Sequence, residues 1–159
     1  MSTVTPPFES PAIEERAEQH LAVVRERVQL DAIPALYDRA FPRIFAALAR
    51  AGAAPSGAPY AVVHGVPGDT LDLSVAVPVD APFTGSEGVE PETLPAGTVA
   101  TLRVRGDYSG LTDAYAFLFE WIEESGRTPL GIAWERYLTE PEPGGDPAGN
   151  ETLLGVHLA

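Results

Sequence analysis

Tyr37–Leu48 (YDRAFPRIFAAL) and Leu111–Ile122 (LTDAYAFLFEWI) are the two stretches that decide the fold. The first places Tyr37, Ala40, Phe41, Ile44, Phe45 and Leu48, and the second Leu111, Ala114, Tyr115, Leu118, Phe119 and Ile122, at the spacing i, i+3, i+4, i+7, i+8, i+11. That spacing is one apolar stripe on an amphipathic helix. A single offset of 74 residues carries Tyr37 onto Leu111, and with it the whole first stripe onto the second and Gly52 onto Gly126, each glycine a C-terminal helix stop. We read the match as an internal duplication. Ser109 stands where the second helix needs an N-cap. In the first, Pro34 lies near the start and Pro42 inside, which predicts a kink or a late start.

Working outward, an alternating, β-prone run precedes each helix (residues 20–30 and 98–105) and two more follow it (60–66 with 70–79, and 131–139 with 152–158). Pro67-Gly68-Asp69 is short enough for a hairpin, whereas residues 140–151 form a longer loop rich in proline and glycine. The expected fold class is therefore α+β: strand-helix-strand-strand, twice, with both helices on an antiparallel sheet and a ligand cleft between the units. The expected boundaries are a flexible arm over 1–13 and a single domain over 14–159, made of units 14–80 and 92–159 joined by a linker at 81–91.

The chain has 159 residues, no cysteine, and a formal net charge of −13, with arginine as its only strongly basic residue type. One domain with a sizeable core is expected at this length. Without cysteine or lysine there is no disulfide framework, thiol nucleophile, Schiff base or P-loop. The acidic balance argues against direct contact with nucleic acid, whose phosphates demand a basic surface. The N-terminus is acidic and proline-rich where an export signal needs basic and then apolar residues, and the longest apolar runs fall far short of a membrane span. A cytoplasmic protein is expected. His20, His64 and His157 lack metal-ligand spacing, Ser109 and Ser125 lack a partner histidine in pattern, and neither a metal nor a cofactor is expected.

Four segments of the second unit carry a resemblance: LPAG at 94–97, RGDY at 105–108, FEW at 119–121 and WERYLTEP at 134–141. In this order they resemble the GyrI-like small-molecule-binding family, which also supplies the effector-binding domain of AraC-type and MerR-type multidrug regulators. The resemblance implies a pocket between the units for lipophilic, often cationic or aromatic, molecules, with Glu135 as its acidic group. Strand alternation puts Ala133, Glu135 and Tyr137 on one face and Trp134, Arg136 and Leu138 on the other. At the 74-residue offset Ala61 and Val63 take the places of Glu135 and Tyr137, so one unit alone supplies the charge.

Pattern alone leaves each candidate two readings. Glu135 either faces solvent or pairs with Arg136 or Arg103, or it meets a ligand. Tyr137 is a ligand contact or an ordinary strand aromatic. Tyr108 caps the second helix or walls the pocket. Trp134 and Tyr60, equivalent at the offset, are matched packing residues or ligand contacts, and Phe83 in the linker is a candidate lid. The leading function is that of a freestanding protein that binds or sequesters a hydrophobic or cationic small molecule, with no helix-turn-helix of its own. The resemblance implies two alternatives: a hydrolase of strained cyclopropane rings in DNA-alkylating natural products, using Glu135 and Tyr137, and a protein inhibitor of DNA gyrase.

Overall fold

The structure, a computed structural model, describes residues 10–65, 68–85, 88–106, 110–139 and 150–159. Its strands are β1 (Ala12–Arg16), β2 (Gln19–Gln29), β3 (Tyr60–His64), β4 (Thr70–Val79), β5 (Glu90–Leu94), β6 (Gly97–Arg105), β7 (Pro129–Tyr137) and β8 (Glu151–Leu158), and its helices are α1 (Ile33–Arg50) and α2 (Leu111–Glu124). All eight strands join one curled antiparallel sheet in the order β1-β6-β8-β7-β3-β4-β2-β5. Unit one is β2-α1-β3-β4 and unit two β6-α2-β7-β8. They meet where β3 pairs with β7.

The register relates the two halves by a twofold. Tyr60 pairs with Arg136 and Val62 with Trp134, while Ala61 pairs with Glu135; under the 74-residue offset this set maps onto itself, so the Ala61–Glu135 pair marks the axis. Both helices end alike. Gly52 (φ 69°) and Gly126 (φ 73°) take the left-handed conformation, and the bonds Ala53 N to Leu48 O and Gly52 N to Ala49 O recur as Arg127 N to Ile122 O and Gly126 N to Glu123 O. Each is a Schellman motif.

The structure adds detail to the sequence reading in three places. The first helix does not start late but runs from Ile33 through Pro42, because Pro42 and Asp38, whose carbonyl loses its partner, both lie on the exposed face, where water can serve that carbonyl. Ser109 lies outside the described residues, and the N-cap position of α2 is Gly110, with no side-chain cap. Strand β1 begins in what read as the arm, at residues 12 and 13, and β5 in what read as the linker, at residues 90 and 91. Each leads one unit yet pairs with the outer strand of the other, β1 with β6 and β5 with β2. Their sequences, AIEER and EPETL, are charged, and EPETL also carries a proline, features suited to a sheet edge that must not pair further.

Helix-face residues of the sheet bury against α1 around Leu36, Ile44, Val75 and Val77, and against α2 around Leu102, Leu118, Ile122 and Leu154. The opposite face holds a third core of Leu21, Val23, Tyr60, Val62, Val99 and Trp134. With apolar residues on both faces, Leu21–Val24 of β2 and Leu73–Val79 of β4 are continuous buried runs.

Candidate functional site

Strand β7 crosses the junction of the two units, and its alternation sets the site. On the helix face Ala133 packs beside Tyr115 on the second core, while Tyr137 packs beside Tyr37 and Phe41 on the first. Glu135 lies between them at the axis, with Ala61 of β3 on one side and Leu154 of β8 on the other. Alanine opposite a carboxylate leaves room over the sheet where a larger side chain would fill it.

Three tyrosines from three elements gather around this carboxylate, Tyr137 and Tyr115 directly and Tyr37 through Tyr137. Tyr137 Oη donates to Glu135 Oε2 at 2.7 Å, and Tyr37 Oη of α1 lies 2.8 Å from Tyr137 Oη. Tyr115 Oη of α2 is buried near Glu135 and interacts with it electrostatically, but meets no partner at hydrogen-bonding geometry among the described residues. Burial pushes the Glu135 carboxyl above the usual carboxylate range, and the Tyr137 and Tyr115 hydroxyls offset part of that rise. Burial, then the Glu135 charge, pushes both Tyr115 and Tyr137 well above the usual phenol range. No arginine among the described residues forms an ion pair with Glu135. Arg136 points to the other face, its guanidinium 4.9 Å over the Tyr60 ring, and Arg103 pairs with Glu151 at 3.1 Å.

Of the described residues singled out in the sequence, Glu135 and Tyr137 come together; Trp134, Tyr60 and Phe83 do not join them. Trp134 and Tyr60 are buried on the opposite face, because successive strand residues alternate sides, and they pack edge to face at 5.3 Å. There Trp134 Nε1 donates to His157 Nε2 at 3.0 Å and Arg16 lies 5.1 Å over its ring. Burial, reinforced by the Arg16 charge, lowers the His157 pKa and keeps that acceptor neutral. A cavity of about 340 Å³ on this side, bordered by residues 14–19, Leu94 and Pro95, reaches Trp134 and Tyr60. Phe83 is no free lid: it is buried in the first core with Val79 and Val89, beside a cavity of about 450 Å³ at the C-terminal end of α1. Tyr108 lies outside the described residues.

Tyr37 and Tyr115 were missed as site residues. Both sit on the apolar helix stripes, and a tyrosine on a buried stripe carries a hydroxyl that needs a partner, which is the signal that pointed to them. A second polar cluster on the far face joins His64 Nε2, Ser74 Oγ and Glu92 Oε1, with Ser74 Oγ donating to Glu92 at 2.9 Å. Glu92 contacts the same imidazole nitrogen as the serine rather than orienting the ring from Nδ1, and Ser74 is fully buried, so this is not a nucleophile arrangement. No group of three or more metal-ligating side chains occurs among the described residues. Nor is any described helix long and apolar enough to cross a membrane.

Comparison with known proteins places this geometry. The C-terminal domain of EcmrR is similar in structure, with a TM-score of 0.82 at 20% identity over 94% of this chain and 97% of that one. The present chain spans 57% of the EcmrR chain seen in complex with DNA. SAV2435 bound to tetraphenylphosphonium aligns with a TM-score of 0.68 at 11% identity, over 95% of this chain and 94% of that one. A hydrolase from Listeria innocua aligns at 0.64 and 12% identity, over 98% and 94%. At such identities these likenesses show the fold. No curated protein matches significantly in sequence. Residues 9–153, most of the chain, match the GyrI-like small molecule binding domain, and the chain belongs to that family.

Proposed function

We propose that this domain binds lipophilic small molecules, cationic or planar aromatic, in the cytoplasm, in the cleft between α1 and α2, with Glu135 as the anionic contact and Tyr137 beside it. One observation carries the reading: a carboxylate sits at the junction of the two units, its pKa raised by burial, with no arginine paired to it among the described residues. Holding such a group costs free energy unless a cation arrives to compensate. Aromatic rings flank it along both helices. Tyr37, Phe41 and Phe45 form a ladder on α1, and Tyr115 stacks on Phe119 at 6.5 Å on α2. These rings supply apolar area and cation–π contacts of roughly 0.5–2 kcal/mol each. SAV2435, similar in fold, was solved with the lipophilic cation tetraphenylphosphonium.

Fluorescence titration with a matched cationic and neutral aromatic pair tests this. Glu135→Gln should weaken the cation by roughly 1.5–3 kcal/mol and leave the neutral compound nearly unchanged. In the wild type, cation affinity should rise with pH through the raised Glu135 pKa, where the site gains its charge. Equal losses for both ligands would overturn the assignment. A second reading, hydrolysis of a strained ring, draws on the 2.7 Å contact between the Tyr137 hydroxyl and the Glu135 carboxylate, a pair able to position water and move a proton. A cyclopropane substrate recovered intact after prolonged incubation would remove it for that compound.

A further inference from the structure

Two of the phenol protons around Glu135 are already committed. Tyr137 spends its single hydroxyl proton on Glu135 Oε2, so the 2.8 Å contact between the two phenols must be donated by Tyr37. Tyr115 Oη is buried without a partner at hydrogen-bonding geometry among the described residues, in electrostatic reach of the same carboxylate. With the Tyr37 and Tyr137 protons committed, the acceptors left to meet an incoming cation are the remaining capacity of the carboxylate and the lone pairs of Tyr115. Such a site matches a donor, and charge alone satisfies only part of it.

Resting on the cation-binding reading above, we propose that the cleft selects cations carrying an N–H donor, that is protonated amines, over permanently charged cations that have none, and that Tyr115 makes the distinction. A protonated amine gives its proton to the Glu135 carboxylate or to Tyr115 Oη and lets the other approach as a second acceptor. A quaternary cation satisfies the charge but leaves Tyr115 Oη buried and unpaired, as it is at rest, and groups in that state carry a standing penalty. Phe119 and Phe41, stacked on the aromatic ladders, offer apolar contact to both kinds of ligand alike and do not discriminate.

The test compares the naphthylmethyl-dimethylammonium ion with the naphthylmethyl-trimethylammonium ion, which differ by one N–H against one N–CH3. Both are titrated calorimetrically into the full chain and into Tyr115→Phe at neutral pH. The expected result is a preference of the wild type for the N–H ion of about tenfold, one charge-assisted hydrogen bond, collapsing to within about twofold in Tyr115→Phe through weaker binding of the N–H ion alone. Equal affinities in the wild type would overturn the N–H selection and leave cation binding standing. A preference that persists in Tyr115→Phe would assign it to the bulk of the extra methyl group and overturn the role of Tyr115. Failure of both ions to bind the wild type would overturn the cation-binding reading itself, and the selection with it. The wild-type comparison needs no variant, so it decides the matter even if Tyr115→Phe folds poorly.

Discussion

Glu135 is kept from the nearest arginine in sequence by strand parity: Arg136 is its neighbour, but successive residues of β7 face opposite sides of the sheet. The stability consequence has a definite sign. A carboxyl whose pKa is raised in the fold favours the protonated form, so its favourable contribution is complete below the ordinary value near 4.5 and is lost as pH rises through the folded value. Glutamine keeps the shape of the neutral acid. Glu135→Gln should therefore melt at a higher temperature than the wild type at neutral pH, with the gap closing as the pH is brought below about 4.5, as thermal melts across pH would record. A wild type as stable as the variant at neutral pH would mean that the carboxylate is already compensated. Tyr37, Tyr115 and Tyr137 show why residue identity was only half legible: the sequence places each on a strand or stripe, while their gathering around one carboxylate depends on how two helices lie over the sheet.

At the scale of elements, equivalent strand positions in the two units hold different but complementary pairs. In unit one Tyr60 lies opposite Ala76, and in unit two the larger Trp134 lies opposite Gly155. A Cβ at Gly155 would run into the Trp134 indole. Gly155→Ala should cost about 1–3 kcal/mol, the range for overpacking. Adding Trp134→Tyr should recover part of that loss by recreating the tyrosine–alanine pair of unit one, and chemical denaturation of the two single variants and the double variant measures the coupling. Additive losses would show that the tryptophan can move aside. The helices and six of the strands followed directly from periodicity, since apolar residues repeat there at 3.6 or 2. β1 and β5 did not, because an edge strand made of Glu, Pro, Thr and Arg has no apolar alternation to read.

For the whole molecule, exchange of leading strands makes each unit depend on the other: β1 covers the outer edge of β6, and Arg16 at its end lies over the Trp134 ring. Removing residues 1–16 should expose the β6 edge and one side of the far-face core, lowering the melting temperature and promoting self-association, which thermal melts and size-exclusion chromatography would detect. Unchanged melting would make β1 a dispensable strand. By itself the sequence determined that two helix-bearing units of like pattern exist and that Glu135 and Tyr137 share a strand face, because both facts follow from local spacing. It also carried the family resemblance in its second unit. Only the tertiary structure decided that Trp134 and Tyr60 pack away from that face in a common core, that Phe83 is buried, that Tyr37 reaches Tyr137, and that Tyr115 comes near Glu135. Those outcomes depend on contacts between residues tens of positions apart, set by sheet register, curl and helix placement, which no local period encodes.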